Sequence, residues 1–218
     1  MLKDTDEIRI TGHTLSGSLF TELSKDILQG KLKAGDKLSE QQVCDMYGLS
    51  RTPVREAFRQ LELEGLIETI PNRGAFVVGL STRDISDLYE MRKAYEEIAV
   101  RWAIERITKE ELEKLEEAYE FMEFYTIKKD AEKMLNINLK FHNLIYQAAH
   151  NRILCHTLST FQFYLKQIRT NNSYLTEHLD TVLAEHKKIF EAFISHDTEA
   201  GADAAAAHLD NARKRIKL

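Results

Sequence analysis

Three histidines in the second half of the chain, His142 in NLKFHNLIY, His186 in LAEHKKIFEAF and His208 in AAAAHLDNA, each lie inside a run with helical apolar spacing. Neutral imidazoles from three helices can meet in a bundle core and hold Zn²⁺, Ni²⁺ or a similar transition-metal ion. Asn138 stands one turn before His142 on the same face, so its amide oxygen can complete a weak fourth position. The spacing is weakly diagnostic by itself, because the chain has no HExxH and no short paired motif. The other histidines, His13, His150, His156, His178 and His196, fall near expected helix ends or loops and read as solvated or capping groups.

A second chemistry is offered by SRTPVREAFRQLE, residues 50–62, where Arg51, Arg55 and Arg59 recur every four residues and so share a helical face. Arginine can donate two parallel hydrogen bonds to guanine O6 and N7 in a major groove, and Ser50 and Thr52 can donate to phosphate oxygens. Downstream, Asn72, Arg73 and Gly74 suit a hairpin tip entering a minor groove, the arginine supplying charge and the glycine permitting close backbone approach. Exposed helices also alternate charges without function, and Arg59 reads equally well as a surface partner of Glu62.

The elements that must position these groups are legible. Leu15, Leu19, Leu23, Ile27 and Leu28 predict a helix over about 14–29 that stops at Gly30. After the turn KAGDK, Ser39 and Gln42 predict a capping box for a short helix through Met46, broken by Gly48. Thr52 followed by Pro53 predicts an N-cap and first helical position for a third helix that buries Val54, Ala57, Phe58 and Leu61 and ends at Gly65. LIETI and AFVVG around PNRG read as a hairpin. Three helices and a hairpin make a winged helix-turn-helix, whose third helix presents its N-terminal residues to base edges.

Beyond about Val78–Ser81 the composition changes: residues 82–218 hold one glycine, Gly201, and no proline. Six helices are expected there, at about 82–106, 109–127, 130–149, 152–171, 175–195 and 197–215, with Ser81 or Thr82 capping the first and a Thr108/Glu111 capping box on the second. Leu88, Met91, Tyr95, Ile98 and Trp102 mark an apolar face on the first of them, and short loops predict an antiparallel bundle. The fold class is therefore mainly α. Residues 1–11 are expected to form a flexible arm, 12–79 the winged domain and 80–218 the helical domain.

With 43% hydrophobic and 30% charged residues the chain fits an ordinary globular protein. No run approaches the roughly 20 apolar residues of a membrane span, and MLKDTDEIRI lacks a secretory apolar core, so a cytoplasmic location is expected. Cys44 and Cys155 lie far apart in apolar-periodic segments and read as separate buried thiols. A net charge of −5, with ten Lys and Arg against twelve Asp and Glu in residues 1–80, excludes indiscriminate attraction to nucleic acid. It leaves room for a small, focused basic surface.

The run LSEQQVCDMYGLSRTPVREAFRQLELEGLIETIPNRGAFV resembles the DNA-binding domain of GntR-family transcriptional regulators, and the helical remainder resembles the FCD effector domain of the FadR subfamily. The resemblance implies that Arg51, Thr52 and Arg55 belong to the operator-reading helix, with Ser50 at its start, and Arg73 with Gly74 to the wing. It also implies a divalent ion, zinc first, at Asn138, His142, His186 and His208, and an effector-facing role for Arg92 in DLYEMRKAYEE. Two positions bear on the site chemistry. Gln41 departs from the family pattern, occupying a position where many relatives carry a DNA-contacting arginine; Asn138 fits a pattern that takes aspartate or asparagine there, and as an asparagine leaves the ion more positive charge for an incoming anion. For Arg92 the alternative is a surface pair with Glu96, four residues on.

The leading expectation is a homodimeric, ligand-responsive regulator, a repressor in the first instance. It would bind a palindromic double-stranded operator and answer to a small carboxylate at the metal. One alternative is a regulator in which the ion itself is the effector. Another is a metal-dependent hydrolase or lyase joined to a DNA-binding module, since three histidines with open positions also describe catalytic zinc. That last reading lacks an evident general base, because Glu185 adjoins His186 and neighbouring helical residues point apart.

Overall fold

The computed structural model describes residues 14–168 and 173–215. The expected arm at 1–11 lies outside the described residues. The chain divides after Ser81 into two compact units.

In the first unit, α1 (Leu15–Leu28) begins at Thr14, whose hydroxyl accepts the N–H of Gly17 at 3.2 Å. It buries Leu19, Leu23 and Ile27, and packs on α3 (Arg51–Leu63), which buries Val54, Ala57, Phe58 and Leu61. Between them, α2 (Glu40–Tyr47) starts at Ser39 and ends at Gly48, whose φ of 63° is the left-handed conformation glycine adopts most readily. The hairpin is formed by β2 (Ile67–Ile70) and β3 (Gly74–Val77), paired antiparallel with Ile67 opposite Val77.

Two local expectations are corrected. Lys37–Leu38, within and just after the expected turn KAGDK, forms a third strand, β1, antiparallel to β3 with Leu38 opposite Ala75, giving the order β1-β3-β2. Two residues are too few to show a strand period. Helix α3 begins at Arg51 with Ser50 as N-cap, so Thr52 and Pro53 are its second and third helical residues. Proline is accommodated there because the first N–H groups of a helix have no intrahelical partner to lose.

The second unit is an antiparallel bundle of α4 (Thr82–Arg106), α5 (Lys109–Ile127), α6 (Ala131–Ala148), α7 (Arg152–Ile168), α8 (Ser173–Ser195) and α9 (Thr198–Lys214). Thr108 and Glu111 form the full reciprocal capping box that starts α5. Phe141, Ile145, Tyr146, Met122, Leu158, Ile189 and Phe193 centre the core. Helix α4 runs along α9, and Gly201 makes that approach possible: a Cβ there would lie 2.5 Å from Ile104 Cδ1 and 3.2 Å from Ala192 Cβ.

The expected apolar face of α4 is also corrected. Leu88 is buried, but Met91, Tyr95 and Ile98 are 46%, 42% and 39% exposed in the single chain. The inward face instead carries Tyr89, Arg92, Glu96, Ala99, Val100 and Ala103, so the helix buries an ion pair where the sequence pattern offered hydrocarbon.

Candidate DNA-reading surface and candidate metal centre

Ser50, Arg51, Thr52 and Arg55 stand exposed together at the start of α3. The Ser50 side chain makes no capping hydrogen bond, which leaves its hydroxyl for an outside acceptor. Arg51 donates from Nη2 to Gln41 Oε1 at 3.2 Å, and Arg55 donates from Nε to Glu40 Oε2 at 2.9 Å. Both partners open α2, so side chains of one helix aim those of the next. These contacts are exposed and exchangeable for phosphate or base edges at small cost. Arg59 is exposed on the same face, while Glu62 accepts the N–H of Thr69.

At the wing tip, Asn72 and Gly74 have φ of 62° and 101°. Gly74 is constrained twice, because a Cβ would also meet Lys37 Cε at 3.2 Å. Arg73 is exposed with its guanidinium 5.6 Å from the Phe76 ring centroid, so its charge is held at the tip by its own strand.

In the bundle, α6, α8 and α9 bring His142, His186 and His208 together, all buried, with one ring nitrogen from each within 4.8 Å of the others. His186 Nδ1 lies 2.7 Å from the Val182 carbonyl, which fixes the proton on Nδ1 and leaves Nε2 with a lone pair. His142 Nδ1 faces Glu96 Oε2 at 3.4 Å, and His208 Nδ1 lies 2.8 Å from Glu185 Oε2. Every ring is thus turned with Nδ1 outward toward an acceptor. The consequence appears at Nε2 of His142 and Nε2 of His186, which are 3.2 Å apart. With both protons on the outer nitrogens two lone pairs face each other, whereas a proton on His142 Nε2 would make the contact an ordinary hydrogen bond. A cation resolves that opposition, and two nitrogens bound to one tetrahedral zinc stand about 3.3 Å apart. Asn138 Oδ1 adds an independent sign: it is buried with no hydrogen-bond partner.

Burial, then the neighbouring rings, holds the imidazoles of His186 and His208 well below the usual 6.5, which keeps them in the neutral form a metal ligand requires. Arg92 and Glu96 do not form the surface pair considered from sequence. They form a buried one, with Arg92 Nε donating to Glu96 Oε1 at 2.9 Å and Nη2 donating to the Tyr146 hydroxyl at 3.2 Å, while that hydroxyl donates to Glu96. Burial opposes the charge on Glu96, but Arg92 and His142 outweigh it and hold the carboxyl well below its usual range. Glu96 is a site residue the sequence reading passed over. Glu185 is another: its carboxylate accepts from Asn211 Nδ2 at 3.0 Å and from Arg215, as well as meeting His208.

Residues 15–77 match the model of the bacterial regulatory proteins of the gntR family, and residues 87–211 match that of the FCD domain. The chain is 31% identical over 200 residues to the HTH-type transcriptional regulator YdhC of Bacillus subtilis, covering 91% of this chain and 89% of the relative. The chain belongs to the GntR family of transcriptional regulators. Its FCD domain gives it the FadR-type architecture. The galactonate operon transcriptional repressor of Escherichia coli is 29% identical over 238 residues, covering 99% of this chain and 98% of the repressor. Among solved structures, McbR/YncC of E. coli shares the fold, with a TM-score of 0.70 at 24% identity over 93% of this chain and 96% of that one. This GntR-family chain is a DNA-binding regulator with an effector domain, not an enzyme. Among the described residues no helix is long and apolar enough to cross a membrane.

Proposed function

We propose that the protein is a repressor that binds a palindromic double-stranded operator as a homodimer in the cytoplasm and responds to a small carboxylate at a divalent metal ion in the FCD domain. The convergence of three buried imidazoles, with Nε2 of His142 and Nε2 of His186 3.2 Å apart, carries the metal part of this reading. Asn138, His142, His186 and His208 would hold the ion, zinc or another transition metal such as nickel. When bound, such an ion supplies open coordination positions for an anion. An amide at Asn138 in place of a carboxylate favours that role, since the ligand set then adds no negative charge. Arg92 belongs to the reading as a cation that a ligand carboxylate would reach only by displacing Glu96.

At the DNA, Arg51 and Arg55 would read base edges in the major groove, with Ser50 and Thr52 on phosphates and Arg73 with Gly74 in the adjacent minor groove. The exposed stripe Met91, Tyr95 and Ile98 supports self-association through α4, which would bring two reading heads to the two half-sites. A ligand changes DNA binding only if it binds the two arrangements of such a dimer with different affinity.

A second reading, in which the ion alone is the effector, rests on the same histidines. The deciding experiment measures operator binding twice, with metal fixed while a panel of small carboxylates is varied, and with metal varied in their absence. Release or tightening in the first series alone supports the proposal. A response confined to the second series replaces it with the metal-sensing reading.

A further inference from the structure

The partners of Glu185 come from α9 and from Arg215, its C-cap residue. His208 Nδ1 meets its Oε2 at 2.8 Å, Asn211 Nδ2 donates to Oε1 at 3.0 Å, and Arg215 Nη2 donates to Oε2. His208, Asn211 and Arg215 recur at helical spacing, so one face at the end of α9 closes on one carboxylate of α8. The Arg215 and Glu185 side chains are each 12% exposed, which limits screening by solvent. Arg215 anchors its own Nε on the Asn211 carbonyl at 3.1 Å, yet its Nη1 is buried without a partner among the described residues. A buried orphan donor disfavours the fold. A residue present only to staple two helices has no need of it. What the guanidinium provides that a neutral staple does not is a positive charge against Glu185.

That charge has a direction of action. A carboxylate behind an imidazole fixes its tautomer and makes its other nitrogen a stronger donor to a metal. A cation on the far side of the carboxylate withdraws part of that effect. The ion then keeps more of its own charge and attracts an anion more strongly. We propose that Glu185 is a positioning residue for His208 and that Arg215 sets, through Glu185, how strongly an ion held by His208 attracts an anionic ligand. The inference rests on the metal reading given above and deepens it: anion affinity is tuned by a residue that need not touch the anion. Arg92 and Glu96 repeat the arrangement behind His142, but their complete burial would mix coordination with folding in any variant. The Arg215 pair is therefore the one to test.

The test uses the full chain and two probes, Zn²⁺ by chelator competition and acetate titrated against the visible absorption of the Co²⁺-loaded protein. Glu185→Gln is expected to weaken Zn²⁺ binding by about 10–100-fold. Arg215→Met is expected to move the opposite way, tightening Zn²⁺ several-fold and weakening acetate several-fold. Arg215→Lys keeps the charge and restores the parent values on both probes, which also guards against loss of folding in the methionine variant. If Glu185→Gln and Arg215→Met weaken Zn²⁺ alike, the pair is only a staple and the inference fails. It fails too if neither variant changes either probe while the parent binds zinc. If the parent takes up no more zinc than His142→Ala, the metal reading itself falls and this inference falls with it.

Discussion

Arg92 and Glu96, one turn apart on α4, close a 2.7 Å ion pair with side chains only 5% and 1% exposed, and the other oxygen of Glu96 stands 3.4 Å from His142 Nδ1. The pair is both part of the core and a support for the candidate metal centre. Removing one member leaves a buried charge without its partner, so Arg92→Ala should destabilise the helical unit by about 3–5 kcal/mol. Trp102, the only tryptophan, lies in α4, and its fluorescence during urea unfolding reports this unit. The double variant Arg92→Met with Glu96→Gln should recover part of the loss. A double-variant loss equal to the sum of the losses of Arg92→Met and Glu96→Gln made singly would show that the charges are not coupled.

At the DNA end, Arg51→Ala and Arg55→Ala should each weaken operator binding by about 1–3 kcal/mol and relax discrimination at one base pair. Arg73→Ala should weaken sites with a narrow minor groove most. Glu40→Gln should act in the other direction, because Glu40 holds Arg55 at 2.9 Å and adds negative charge beside the phosphates. Binding titrations over a range of salt concentrations separate the cases. Parent-like binding by both alanine variants would displace the reading surface from α3.

Saturating zinc should raise the thermal midpoint of the helical unit, corresponding to about 2.7 kcal/mol when free ion is a hundred times its dissociation constant. His142→Ala and His186→Ala should abolish the shift, and a chelator should reverse it in the parent. Asn138→Asp should bind the ion more tightly and any anion on it less tightly, because a carboxylate replaces an amide. A parent midpoint indifferent to both zinc and chelator removes the metal from the account.

The start of α5 gives a pH prediction. Burial raises the Glu111 carboxyl, while the N–H of Thr108 and the ring of His150 outweigh it, leaving the group below its usual 4.5. A carboxyl with a lower pKa in the folded state binds fewer protons there than in the unfolded chain. Its contribution is therefore complete above 4.5 and fades as pH falls through the lower folded value. Glu111→Gln should cost up to about 1 kcal/mol at neutral pH, and the difference from the parent should shrink as pH falls below 4.5. A difference that stays constant across that range would locate the effect in packing.

Self-association through α4 predicts that Met91→Glu with Ile98→Glu yields monomers by light scattering while zinc uptake is retained. A double variant that remains dimeric would move the interface elsewhere.

Much of this architecture could be read in the sequence because its signals are local. The Thr108/Glu111 box, the glycine stops and the absence of proline after residue 81 set the helix limits. His142, His186 and His208 stood out because a polar ring on an apolar face is conspicuous. The groups behind them did not. Glu96, four residues after Arg92, has the spacing of an ordinary solvated pair, and only packing against α6 shows that both are buried. Glu185 adjoins His186 in the chain, whereas its partner is His208 on the next helix. Met91, Tyr95 and Ile98 carry an apolar pattern that does not say whether the covering surface belongs to the same chain. The two residues of β1 offered no period to detect.

The position of His208 depends on something smaller than any ligand. At Gly201, two turns earlier on α9, the missing side chain lets the backbone settle between Ile104 and Ala192. A methyl group there would meet Ile104 Cδ1 at 2.5 Å, Val100 Cγ1 at 3.0 Å and Ala192 Cβ at 3.2 Å, and any part of that crowding the side chains do not absorb would act as a shim under the helix that carries His208. Coordination distances tolerate only a few tenths of an ångström. The geometry open to a metal at the three histidines thus depends in part on a single hydrogen atom, well away from any of them.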